Sequence, residues 1–124
     1  MVNIELSDYF LNSVKLYTGD DVQLKFRIKE FIDWKETGIQ PTIPFNVDKS
    51  SAKDSENRIY KPFQLNNFWH CHTRIKSNGD PLIAYRKIDN NTIRLVCITT
   101  HNDHFLKTRR DRFVRMYSDE FTKK

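Results

Sequence analysis

Apolar positions recur with a helical period between Val22 and Lys35. Leu24, Ile28, Phe31 and Ile32 fall at i, i+4, i+7 and i+8, which marks one buried stripe. Lys25, Lys29, Asp33 and Glu36 take the other side. Asp20 or Asp21 can cap the first turn by accepting a backbone N–H. Gly38, after Thr37, supplies a left-handed end. Upstream, Asn3–Leu6 reads as a short strand and residues 8–17 as a shorter helix. Residues 39–58 break both patterns: Pro41, Pro44, Ser50, Ser51, Ser55 and mixed charges oppose a helix or a central strand. They predict a long exposed loop, a place where function often sits.

From residue 59 the period changes to two. Trp69, Cys71, Thr73 and Ile75 alternate with His70, His72 and Arg74, so the strand 68–75 is expected to put the histidines and Arg74 on its polar face. Ser77-Asn78-Gly79-Asp80 is a hairpin turn, Leu82–Ile88 a second strand, Asp89-Asn90-Asn91 a second turn and Ile93–Thr100 a third strand. These make an antiparallel meander. Residues 105–121 read as a closing helix with Leu106, Phe113, Tyr117 and Phe121 on its apolar side. The expected fold is α+β: N-terminal helices packed on a twisted antiparallel sheet, then a basic C-terminal helix. There is no internal repeat.

A chain of 124 residues holds one domain, 1–124. Its 9 Phe, 5 Tyr and 2 Trp are enough to build a core, which excludes a disordered or low-complexity chain. No apolar run approaches the roughly 18–20 residues that span a bilayer, and the first residues carry no secretory pattern. Two cysteines, Cys71 and Cys97, make no disulfide framework and no Cys-x-x-Cys motif. The expectation is a reduced, cytoplasmic protein with no membrane partner.

Charge sharpens this picture. The net +5 is unevenly placed. Residues 1–57 carry 7 basic and 10 acidic groups (7 − 10 = −3), and residues 58–124 carry 14 and 6 (14 − 6 = +8). One basic half suits a polyanion, most often nucleic acid. Lys107, Arg109, Arg110, Arg112 and Arg115 are opposed only by Asp111 over nine positions, which suits phosphate contact better than a merely solvated face.

All four histidines fall late: His70 and His72 on one strand, His101 and His104 after another. With Arg74, Arg86 and the basic helix they suit RNA cleavage. That chemistry needs a base for the 2′-OH proton, an acid for the leaving 5′-oxygen and cations for the transition-state charge. Imidazole serves both proton roles, since its ordinary pKa is roughly 6.5. The guanidinium fork serves the phosphate. No metal or cofactor is required. His72, His101, Arg74 and Arg86 are the catalytic candidates; His70, His104, Phe105, Arg109, Arg110 and Arg112 are the substrate-binding ones. The His-x-His and His-x-x-His spacing also permits zinc, although Arg74 and Lys76 disfavour a dication. The plain alternative is ordinary sheet-surface histidines.

The stretch from Phe68 to Phe105 resembles the RelE-like toxins of bacterial toxin–antitoxin systems. Trp69-His70-Cys71-His72, a turn and Leu82-Ile83-Ala84-Tyr85 are similar to that family's second-to-third strand hairpin. Thr100-His101-Asn102-Asp103-His104-Phe105 resembles the T-H-x-x-x-F segment of the YafQ-like branch. Phe31 to Pro41 is similar to the F-x-x-Y-K-x-x-G-x-x-P segment of the YafO-like branch. The resemblance implies a ribosome-dependent endoribonuclease that cuts mRNA, an mRNA interferase, held in check by a cognate antitoxin. It implies proton transfer by His72 and His101, with Phe105 positioning the substrate. Many relatives carry an arginine just before the Leu-Val-Tyr-like run; here that position is Pro81, leaving Arg74 or Arg86 to supply the charge. The family also holds gyrase-poisoning members of the same fold, so a non-enzymatic inhibitor or binding module for gyrase, ribosome or RNA is the alternative.

Overall fold

A computed structural model describes residues 2–45, 49–50, 68–75 and 80–99, with backbone alone at 49, 50 and 68. His101, His104, Phe105, Arg109, Arg110, Arg112 and the expected helix 105–121 lie outside the described residues, as do most of the 39–58 loop and the tip of the first hairpin turn.

The chain opens with strand β1 (Asn3–Leu6) and helix α1 (Asp8–Leu16). Ser7, 1% exposed, joins them. Its hydroxyl accepts from the Phe10 N–H at 3.0 Å, capping α1, and donates to the Val96 carbonyl at 3.0 Å. One side chain therefore ends a strand, starts a helix and pins both to the sheet.

Helix α2 (Asp21–Thr37) runs between the caps its sequence predicts. Asp20 accepts from the Gln23 N–H at 3.0 Å. Gly38, at φ 77, closes the other end by donating to the Trp34 carbonyl at 2.7 Å. Leu24, Ile28 and Phe31 are buried as the stripe requires, and Lys25, Lys29, Asp33 and Glu36 are exposed. The same buried face also holds Arg27, 4% exposed. Its Nη1 meets Glu30 at 2.7 Å and its guanidinium lies 4.0 Å from the centre of the Phe45 ring. Phe45 is fastened in turn by Gln40, whose amide accepts from its N–H at 2.9 Å and donates to its carbonyl at 3.1 Å.

The remaining strands are β2 (Lys49–Ser50), β3 (Phe68–His72), β4 (Leu82–Asp89) and β5 (Thr92–Thr99). They join β1 in one sheet of order β1-β5-β4-β3-β2. β3, β4 and β5 form the expected antiparallel meander, with His72 opposite Leu82 and Leu82 opposite Thr99. β1 adds a parallel edge, Ile4 opposite Ile93. β2, two residues long, pairs antiparallel with the outer side of β3. The register slips by one at Val96, an extra residue between the Ala84–Cys97 and Tyr85–Leu95 pairs. The core lies between the helices and one sheet face: Phe10, Leu24 and Phe31 pack with Ile83, Tyr85 and Leu95.

The opposite face differs from expectation. Leu82 to Arg86 are all buried, and so are Val96, Cys97, Thr99 and His70. The unbroken apolar runs Leu82-Ile83-Ala84-Tyr85 and Leu95-Val96-Cys97-Ile98 mark strands withdrawn from water on both faces, where alternation no longer separates inside from outside.

Candidate active site

Register puts His70 and His72 on the sheet face opposite the helices, beside Ala84 and Leu82. Their ring centres are 6.2 Å apart. The strand was expected to present both to solvent. His70 is instead 6% exposed, because its neighbour across β4 is a buried central position. His72 stands at the strand end and its side chain keeps 23% of its surface.

β3 stops at His72, three residues before the expected end. Arg74 has φ 66, the left-handed region that costs a non-glycine residue about 1–2 kcal/mol. The compensation comes from Asp80, itself at φ 51, where the chain re-enters the sheet. One carboxylate oxygen, Oδ1, accepts from the Arg74 N–H at 2.7 Å. The other, Oδ2, lies 2.9 Å from Nδ1 of His72. Both lone-pair sets of Asp80 are thus directed across the base of the hairpin, one at backbone and one at the imidazole.

This bond determines what His72 can do. A carboxylate accepts and does not donate, so Nδ1 carries the hydrogen. In the neutral ring Nε2 is then the bare nitrogen, able to take a proton from a substrate. Asp80, which the sequence marks only as a turn residue, is the partner of His72. Its only local signal is an acidic residue closing the hairpin, eight positions after His72 and just ahead of Pro81.

The other candidates divide. Arg74 is exposed and adjoins the pair through its backbone. Arg86 is on the same sheet face but opposite Phe68, four residues along from the His72–Leu82 pair, or about 13 Å at strand rise. It is 5% exposed and faces Arg94, whose Nη1 meets Glu5 Oε1 at 3.3 Å. The structure therefore brings His70, His72, Arg74 and Asp80 together and sets Arg86 in a separate cross-strand row. The expected cleft shared by His72 and His101 involves a residue outside the described ones. Among the described residues no three His, Cys, Asp or Glu side chains gather to hold a metal ion.

No protein-family model and no curated protein matches the sequence. A solved toxin structure shares the fold. It is the crystal structure of a metal-bound toxin from Helicobacter pylori, with a TM-score of 0.52 and 22% sequence identity. The match covers 85% of this chain and 100% of that one. At this identity the likeness establishes the α+β arrangement of helices on a mixed sheet. No helix among the described residues is long and apolar enough to cross a membrane.

Proposed function

We propose that this chain is the toxin of a toxin–antitoxin pair, a cytoplasmic endoribonuclease that cuts mRNA on the ribosome, with His72 as the base. The observation that carries the reading is the 2.9 Å contact between His72 Nδ1 and Asp80 Oδ2, which leaves Nε2 as the proton-accepting nitrogen of a partly exposed ring at the strand end. Nε2 takes the 2′-OH proton, the 2′-oxygen attacks phosphorus, and the bond to the 5′-oxygen breaks as that oxygen is protonated. The products are a 2′,3′-cyclic phosphate and a 5′-hydroxyl. With His72 as base, His101, the other proton-transfer candidate, takes the role of acid. Arg74 is the cation nearest the pair in the chain, and Arg109, Arg110 and Arg112 are the expected phosphate contacts. The fold shared with a Helicobacter pylori toxin supports the toxin reading, and the +8 half of the chain supports a polyanionic substrate and an acidic antitoxin.

Losing a proton-transfer group costs about 10²–10⁴-fold in rate. Single-turnover cleavage of an mRNA on translating ribosomes is therefore expected to fall by that factor in His72→Gln, with ribosome affinity retained. A second reading takes its support from the Helicobacter pylori neighbour, which is metal-bound, and from the adjacent His70 and His72 rings. Under it, protein stripped of zinc before assay in Mg²⁺-containing ribosome buffer fails to cleave and added zinc restores cleavage; under the acid–base reading the stripped protein cleaves at the unchanged rate. If wild type never cleaves on active ribosomes while still binding them, the non-enzymatic alternative replaces both.

A further inference from the structure

Beside His72 the reciprocity of the antiparallel ladder fails. Thr73 faces Pro81, and its N–H donates to the Pro81 carbonyl at 3.0 Å. Its Oγ1 donates to the same oxygen at 2.8 Å. A regular pair of this kind exchanges two N–H bonds, one from each residue. Pro81 has no N–H to return. The carbonyl of Thr73, a residue with 0% exposure, therefore has no ladder partner on that side. Arg27 supplies the missing donor from α2, 46 residues away: its Nε donates to the Thr73 oxygen at 2.7 Å.

The guanidinium is built to stay there. Glu30 holds Nη1 at 2.7 Å, and the Phe45 ring supports its plane at 4.0 Å. Nη2 is buried with no hydrogen-bond partner among the described residues, so the group sits where Nε and Nη1 bond and not where all of its donors are served. Thr73 in turn lies between the two residues that Asp80 grips, His72 through Nδ1 and Arg74 through its N–H. A shift of the Thr73 peptide moves both ends of that grip.

We infer that Arg27 is a positioning residue for the His72–Asp80 pair, holding the Thr73 peptide in place of the N–H that Pro81 lacks. Its catalytic consequence rests on the reading of His72 as base; its geometric part rests on the hydrogen bonds alone. A merely structural Arg27 would stabilise the fold through Glu30 and Phe45 and leave the His72 ring untouched. The two roles separate because proline at 81 creates the vacancy. Alanine at that position restores the N–H, so it compensates for loss of Arg27 only if the Thr73 carbonyl is what Arg27 serves.

The experiment compares the full-length chain with Arg27→Met, Pro81→Ala and the double variant. It reads the ¹⁵N resonances of the His72 ring, the melting temperature and single-turnover cleavage on ribosomes. Arg27→Met is expected to convert the single Nδ1–H tautomer of His72 into a mixture. It should slow cleavage by about 10²-fold, the scale of an ångström-sized misplacement, with ribosome affinity unchanged. Pro81→Ala in the same chain should restore the tautomer and most of the rate. An unchanged His72 spectrum in Arg27→Met overturns the inference, and so does a double variant whose tautomer stays mixed. Should Arg27→Met not fold, Arg27→Gln with and without Pro81→Ala is read by the same criteria. A wild type that fails to cleave removes the ribonuclease reading while the ring spectra still decide the positioning role; normal cleavage and an unperturbed ring in Arg27→Met remove the positioning role alone.

Discussion

Replacing Asp80 with asparagine separates the two tasks of one side chain. The amide keeps an oxygen where Oδ1 receives the Arg74 N–H at 2.7 Å, so the left-handed turn retains its support. Where Oδ2 stood, 2.9 Å from His72 Nδ1, it places an NH₂. Two donors cannot share that line, so the ring is driven to carry its hydrogen on Nε2 and to present a bare Nδ1 to the amide. The proton acceptor then faces inward. The stability cost is small: the His72 and Asp80 side chains are 23% and 35% exposed, and a screened pair of this kind contributes about 0–1 kcal/mol. The rate cost is large, because the base is absent in its working tautomer, which is worth about 10²–10⁴-fold. Calorimetry should show a melting shift of at most about 5 °C. ¹⁵N spectra should show the hydrogen moved to Nε2, and single-turnover cleavage should fall by at least 10²-fold. Cleavage within about threefold of wild type, with the tautomer reversed, refutes the assignment of His72 as base through Nε2.

Two further outcomes follow from the same structure. Ser7→Ala removes both a helix cap and the bond to the Val96 carbonyl, and a chemical-denaturation midpoint should register about 1–3 kcal/mol of lost stability. Neutralising Arg109, Arg110 and Arg112 should weaken ribosome binding and flatten its salt dependence by roughly 0.7–0.9 in log–log slope per lost phosphate contact, measured by sedimentation across a salt series, while the cleavage rate of bound complexes holds.

Much of this arrangement is legible in the chain. Asp20 and Gly38 bracket α2 because an N-terminal cap and a left-handed end have local chemical signatures. The meander is legible because period-two alternation and Asp89-Asn90-Asn91 speak for strand, turn and strand. The parallel pairing of β1 with β5 is not, since nothing within Asn3–Leu6 encodes the orientation of a partner about 90 residues away. Arg27 escapes for a different reason. It sits among Leu24, Ile28 and Phe31, and a cation within an apolar stripe ordinarily reads as its flank. Its burial becomes intelligible only when Pro81 is seen to leave the Thr73 carbonyl without a ladder donor. His72 is legible as a proton-transfer candidate by residue type and strand position. Asp80 is not, because an aspartate in a hairpin is explained by the turn alone until its two oxygens are traced to Arg74 and His72.

The proposed cleavage is a 2′-hydroxyl attack in which His72 takes the proton, and the ends left on a cut mRNA report it directly. Translating ribosomes carrying a defined message, treated in Mg²⁺ buffer with wild-type protein stripped of zinc beforehand, should yield 5′-hydroxyl and 2′,3′-cyclic phosphate ends. A single 2′-deoxy substitution at the cut should abolish that cut, and His72→Gln should yield the same ends at least 10²-fold more slowly. Ends bearing 5′-phosphate and 3′-hydroxyl, or cutting by His72→Gln at the wild-type rate, would contradict it.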